Sequence, residues 1–343
     1  MRALFIGGTG TISTDITMLC IEGGWDVTLL NRGRQSWRLP KDLPITHWAM
    51  DINDEEAVSA QLADAPGFDV VVNFINYTVD QIERDIRLFA GRTKQYIFIS
   101  TASAYQKPRS HYLVTESTPL SNPHWAYSRY KIACEDRLMA EYRHNGFPIT
   151  IVRPSHTYDQ YKLPICIHGG KGSWSTIKRM LDGKPVLVIG DGTSLWPMTF
   201  SWDFALGFIG LMGNISAIGE AVHITTDECL SWNQIYQAIG NALGVTPRLA
   251  HVATDFIVAC RPSYEGPLHG DKSVSVVFDN SKIKRLVPGF AAVVRFDQGV
   301  RASVKYLLTH PEAQVEDPDF DRFCDAVIAA QEAAVKQVQA ALG

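Results

Sequence analysis

The sequence predicts a doubly wound α/β fold: a parallel sheet with helices on both faces, followed by a smaller C-terminal lobe. Three observations carry this reading. Short apolar runs alternate with helical patterns through roughly the first 160 residues, which implies right-handed βαβ crossovers. The run Asp69-Val70-Val71-Val72-Asn73-Phe74 lacks polar alternation, as a strand covered on both faces should. A glycine cluster follows directly on the first apolar run.

Taken in order, Ala3-Leu4-Phe5-Ile6 reads as a buried strand, followed by Gly7-Gly8-Thr9-Gly10 and a helix from about Thr11 to Gly23. Val27 to Leu30 is a second strand and residues 45–50 a third, with an acidic-capped helix near 54–64. After the Asp69 strand come a helix near 79–91, a strand at 95–100, a long helix near 124–145 and a strand at 148–152. Gly and Pro then become frequent up to residue 200, around a helix near 173–182. A strand at Ala221–Thr225, a helix at 231–243 and an Ala- and Gln-rich helix at 320–342 complete the pattern. These elements divide the chain into a dinucleotide-binding domain over 1–165, completed by segments near 185–228. A substrate-binding lobe would take 166–184 and 229–316, and a terminal helix 317–343.

Composition sets broad limits. At 343 residues, with 46% hydrophobic and 20% charged residues, the chain has the balance of a soluble globular protein. A formal net charge of −4 provides no general attraction to nucleic acid or anionic membrane. No stretch reaches the ~20 apolar residues of a membrane helix. Arg2 precedes only four apolar residues, short of the roughly 7–15 of a secretory signal, so a cytoplasmic location is expected. Cys20, Cys134, Cys166, Cys229, Cys260 and Cys324 are too scattered for a metal knuckle or redox pair, so no metal is expected.

The glycine cluster, Gly7-x-x-Gly10-x-x-Ser13, stands between a strand and a helix, as in a Rossmann-type domain. A pyrophosphate needs close backbone approach there, free helix N–H groups and the positive end of the helix dipole. Gly7, Thr9, Gly10, Thr11 and Ile12 are therefore candidate cofactor contacts. Selectivity for NAD normally shows as an acid at the end of the second strand. Here that end reads Asn31-Arg32-Gly33-Arg34. Arginine there suits a 2′-phosphate, so NADP is the expected cofactor.

Tyr127 and Lys131 lie four residues apart in the long helix and share one face. An ammonium beside a phenol lowers its pKa toward neutrality, giving a usable acid or base. Ser100-Thr101-Ala102-Ser103 ends the preceding strand and offers hydroxyls to a substrate oxygen. A second pair with this spacing, Tyr158 and Lys162, falls in a Pro-flanked loop where the spacing does not align side chains.

On these residues, with Asp51-Ile52 and Val152-Arg153-Pro154, the chain resembles the extended short-chain dehydrogenase/reductases of the NAD-dependent epimerase/dehydratase family. The resemblance covers residues 1 to about 160 and continues more weakly through Gly190-Asp191-Gly192, Asp203 and Asp279 to Pro288. It implies that Thr101, Tyr127 and Lys131 are catalytic and that Asp51 meets the adenine. Asn73 and Phe74 would line the adenosine side, with Pro154, Ser155 and His156 bordering the nicotinamide. Ser103, His156 and Trp196 would face the substrate. Two departures narrow the chemistry. Trp196 and Pro197 replace the Arg-Asp pair by which sugar-nucleotide members grip a diphosphate. Ala102-Ser103 replaces the Asp-Glu pair of the dehydratases. The expected activity is therefore epimerisation of a sugar or sugar-like hydroxyl through a ketone, with NADPH-dependent reduction as the alternative. A homodimer is also expected. Gly-Gly-Thr-Gly with Leu30-Asn31-Arg32-Gly33 is similar to the chloroplast stem-loop-binding relatives too, but no basic stripe supports RNA binding.

Overall fold

The computed structural model describes residues 1–343, Ser36 aside. Seven strands build the central sheet: β1 (Arg2–Ile6), β2 (Asp26–Asn31), β3 (Ile45–Ala49), β4 (Phe68–Asn73), β5 (Thr93–Ile99), β6 (Ile149–Pro154) and β7 (Ala221–Ile224). Their spatial order is β7-β6-β5-β4-β1-β2-β3, and every neighbouring pair is parallel. The chain winds outward from β1 to β3 and then returns to the other side of β1 at β4. The loops after β1 and β4 diverge there, leaving the crevice in which such sheets bind ligands.

Alternation along the strands supplies both faces. Ala3 and Phe5 pack with Val70, Val72 and Ile97 under α1 (Ser13–Glu22) and a later helix, Ser201–Leu211. Leu4 and Ile6 pack with Val71, Tyr96 and Phe98 under α2 (Glu55–Asp64), α3 (Val79–Phe89) and α4 (Ala126–Asn145). Helix α1 starts two residues after the predicted Thr11, because the Ser13 hydroxyl accepts the Gly10 N–H at 2.7 Å and holds the turn open.

A third core lies beyond the sheet. Helices α5 (Trp174–Leu181), α6 (the Ser201–Leu211 helix), α7 (Trp232–Leu243), α8 (Phe296–Thr309) and α9 (Pro318–Leu342) complete the helical set that matters here. Trp196, Trp232, Tyr236, Tyr158, Phe296 and Phe320 are buried together in this core with Val186 to Ile189. Short parallel pairings, His156–Tyr158 with Met198–Phe200 and Val186–Ile189 with Leu249–Val252, knit it together. These pairings join segments far apart in sequence, and no local pattern announces them. The segment Leu268–Lys272 is a π-helical turn, a rare conformation that is enriched at functional sites.

Candidate active site

The crevice opens into a cavity of about 560 Å³. Gly7, Thr9, Gly10, Thr11 and Ile12 form one wall, Asn31 and Arg32 the end of β2, and Asp51 and Ile52 the segment after β3. Phe74 follows β4, and Pro154 and Ser155 close the far side at the end of β6. Gly7 and Gly8 take φ of +107° and +85°, a region that side chains resist. A Cβ on Gly8 would stand 2.6 Å from Leu29 Cδ2, so strand and turn meet here only without a side chain. Among the described residues the Thr11 and Ile12 N–H groups donate to no protein acceptor. They lie at the positive end of α1, free for an anion, so the residues present fit a dinucleotide's phosphates.

Two of the expected cofactor residues do different work. Asn31 lines the cavity, but its side chain staples the turn, donating to the Gly7 carbonyl at 2.9 Å and accepting from the Gly33 N–H at 2.8 Å. Asn73 is outside the cavity lining, which corrects its expected place on the adenosine side. It is fully buried, donates to Asp85 at 2.6 Å and accepts the N–H groups of Ile75 and Asn76. A side chain pinned beneath the turn cannot also face the cavity. Arg32 pairs with Asp51 at 3.4 Å, both half exposed. The carboxylate missing from the end of β2 thus arrives from the neighbouring strand's end, a juxtaposition that only the sheet order reveals.

A second cavity, about 390 Å³, adjoins the first and shares Pro154, Ser155, Thr157 and Lys162 with it. Thr101, Ser103, Tyr127 and His156 line it, together with Trp125, Asp271 and Lys272. A hydroxyl chain forms one wall: Thr101 Oγ1 meets Ser103 Oγ at 2.9 Å, and Ser103 Oγ meets the buried Ser128 Oγ at 2.7 Å. Trp196 lies behind the wall rather than in it, which corrects its expected contact with substrate. It is 1% exposed, and its ring stands 6.4 Å from that of His156. His156 is held neutral, its pKa well below the usual histidine value, by burial and by the charges of Lys272 and Lys162.

Tyr127 and Lys131 share a face of α4, with the ammonium 5.8 Å from the phenol ring centre. Lys131 Nζ donates to the carbonyls of Asn76 at 2.5 Å and Ile99 at 2.6 Å, so two of its three donors are spent on the protein. Burial lowers its pKa to about 8, against the pull of Cys134 and Glu135. Tyr127 departs from expectation. Its pKa is raised, first by burial against the pocket wall and then by the Asp271 charge, although 37% of the residue is exposed.

Sequence reasoning missed several lining residues. Asp271 and Lys272 come from the π-helical turn, and Thr157 and Lys162 stand at the junction of the two cavities. Tyr158, the rival phenol, is fully buried against Phe200 and Phe296 and takes no part. Among the described residues, no group of His, Cys, Asp and Glu could hold a metal ion. No helix among them is long and apolar enough to cross a membrane.

The family model described as "NAD dependent epimerase/dehydratase family" matches residues 3–224. The chain belongs to this family. It is accordingly a nicotinamide-cofactor enzyme of the extended short-chain dehydrogenase/reductase type. Over 264 residues, 73% of this chain and 65% of the relative, it is 25% identical to the chloroplast stem-loop binding protein of 41 kDa b of Arabidopsis thaliana. Over 250 residues, 71% of this chain and 67% of the relative, it is 23% identical to the 2'-dehydrokanamycin reductase of Streptomyces kanamyceticus. The chain thus spans about two thirds of the length of these curated relatives. Among solved structures, epimerase Mth375 of Methanothermobacter thermautotrophicus superposes with a TM-score of 0.74 at 16% identity, covering 91% of this chain and 93% of that one. The UDP-glucuronic acid 4-epimerase of Bacillus cereus in complex with NAD gives 0.70 at 19%, covering 90% and 99%.

Proposed function

We propose that this family member epimerises a sugar or sugar-like carbinol through a transient ketone, using a retained nicotinamide cofactor. One arrangement carries the reading: the glycine-turn cavity and the Tyr127–Thr101 cavity share a wall at Pro154, Ser155 and Thr157. A dinucleotide held with its phosphates at Thr11 and Ile12 would have room to extend toward the wall that holds Tyr127. When bound, an oxidised nicotinamide would supply the hydride acceptor. Tyr127, as its phenolate, would take the carbinol proton in the oxidation step and return it when the ketone is reduced, and the third N–H of Lys131 is left to steady that phenolate or a ribose oxygen. Thr101 Oγ1 donates to the substrate oxygen as it gains negative charge, its position set by Ser103 and Ser128.

A second reading, net reduction of a ketone, is favoured by one observation: a relative that is 23% identical over 250 residues is named a reductase. Cofactor analysis after turnover separates the two. The chain would be incubated with UDP-hexoses and with unlinked aminosugars, and the released cofactor identified by mass spectrometry. Oxidised cofactor retained through many turnovers is expected. Stoichiometric consumption of added NADPH would replace epimerisation by reduction.

We also propose a preference for NADP. Arg32 and Arg34 both line the outer end of the first cavity. The exposed Arg32–Asp51 pair is worth only about 0–1 kcal/mol, so a 2′-phosphate displaces it at little cost. Arg32→Ala should weaken NADP binding by about tenfold and leave NAD unchanged, by calorimetric titration. An equal effect on both would remove the arginine argument.

A further inference from the structure

Asn122 is buried, at 2% exposure, just before α4, and its carboxamide uses its whole hydrogen-bonding capacity. Nδ2 donates to the Ser103 carbonyl at 2.8 Å and to the Gly270 carbonyl at 2.7 Å. Oδ1 accepts the N–H of His124 at 3.2 Å and that of Trp125 at 3.1 Å. One side chain thus ties together the Thr101–Ser103 wall, the start of the helix bearing Tyr127, and the π-helical turn bearing Asp271. The segments come from distant parts of the chain, Gly270 being 148 residues from Asn122.

The π-helical turn is held from its other side as well. The indole N–H groups of Trp196 and Trp232 both donate to the Lys272 carbonyl, at 3.0 and 3.1 Å. Its fit against α4 leaves no slack: a Cβ on Gly270 would lie 2.9 Å from Trp125 Cβ, and one on Gly266 2.4 Å from Trp125 Cδ1. Asp271 follows Gly270 directly and lines the cavity with Tyr127. It makes no hydrogen bond to protein among the described residues, and Lys107, Arg109 and Lys272 surround it with positive charge. The carboxylate is presented to the cavity, and where it stands depends on the two anchors of the turn.

We infer that Asn122 is a positioning residue for the proposed reaction, clamping Thr101, Tyr127 and the Asp271 carboxylate into one fixed geometry around the substrate. The inference rests on the reading of Tyr127 as the proton-exchanging group. It assigns Asn122 more than a turn-capping role, because only Oδ1 serves the turn; the two Nδ2 bonds reach the Ser103 carbonyl and the Gly270 carbonyl beside Asp271.

The test follows the titration of Tyr127 by NMR of ring-labelled tyrosine in the NAD-loaded chain, with Tyr127→Phe to assign the signal. Asn122→Ala removes all four bonds. Asn122→Ser keeps an acceptor for the turn amides, as serine does in such turns, and removes both donors. The expected result is a Tyr127 midpoint moved by about half a pH unit or more in both variants. NAD affinity should stay within about twofold of the parent, because Asn122 is remote from the first cavity. A parental Tyr127 titration in Asn122→Ser would overturn the inference, leaving Asn122 a turn residue. If Asn122→Ala does not fold, Asn122→Ser alone decides. Failure of NAD to move the Tyr127 midpoint in the parent would count against the proposed reaction instead, and the variants would still be compared without cofactor.

Discussion

Lys131 is a buried ammonium whose charge the fold holds at a cost. Its pKa is lowered to about 8 by burial, below the ordinary lysine value, so the folded chain binds fewer protons than the unfolded chain from about pH 8 to 10.5. The penalty is fully present below pH 8, and stability contributed by this site rises as pH climbs through that window. Urea unfolding at pH 7.5 and 10 should therefore show Lys131→Met losing its relative advantage, or deepening its deficit, at the higher pH. A difference that is independent of pH would contradict the buried-ammonium assignment. Asp271 acts on the neighbouring phenol in the opposite sense. Its carboxylate contributes to the raised pKa of Tyr127, so Asp271→Asn should lower the Tyr127 midpoint, as read by tyrosine absorbance difference against Tyr127→Phe. An unchanged or higher midpoint would show that the carboxylate does not face Tyr127. The catalytic pair itself was legible in the sequence, because i and i+4 share a helix face whatever the tertiary structure. The carbonyls that consume Lys131's donors belong to Asn76, in the loop after β4, and Ile99, at the end of β5, which meet it only through the sheet order. Nothing local shows that bond, nor that Asn73 would be drawn beneath its turn.

At the scale of elements, the glycine turn and the first six strands could be read with little error. Their signals are local: an apolar run, then glycines, then a helical period. The structure adds the reason for Gly8, whose φ of +85° and contact with Leu29 admit no side chain. Gly8→Ala should lower the free energy of unfolding by about 1–3 kcal/mol and weaken cofactor binding together, the first by denaturant titration and the second by calorimetry. Parental stability and affinity would show that the turn tolerates a side chain. The elements that escaped notice are the short pairings beyond the central sheet. The His156–Tyr158 and Met198–Phe200 strands are three residues each, too short for periodicity to register. The π-helical turn at Leu268–Lys272 has no recognisable sequence signature, yet it delivers two charged groups to the second cavity.

At the scale of the molecule, α9 clasps the smaller lobe by its first half. Phe320, Phe323, Cys324, Val327 and Ile328 are buried, and Asp321 and Asp325 pair with the almost fully buried Arg179 at 2.6 and 2.7 Å. Residues 329–342 are exposed throughout. Ending the chain after Gln331 should leave thermal unfolding nearly unchanged. Ending it before Asp317 should cost several kcal/mol, because Phe320, Phe323, Val327 and Ile328 are lost from the core they help to fill. Equal melting temperatures for the two truncations would contradict this division of α9. The larger consequence of the architecture is that the Rossmann-type sheet and the smaller lobe meet around one cleft, with Thr157 and Lys162 at the join and Tyr127 beyond it. The most direct test of that claim is single-turnover reduction of bound oxidised cofactor by a sugar found to be turned over, followed by nicotinamide absorbance in the parent and in Tyr127→Phe. The account predicts that Tyr127→Phe binds the cofactor as tightly as the parent and reduces it at least about a hundredfold more slowly. Reduction at the parental rate in that variant would contradict it.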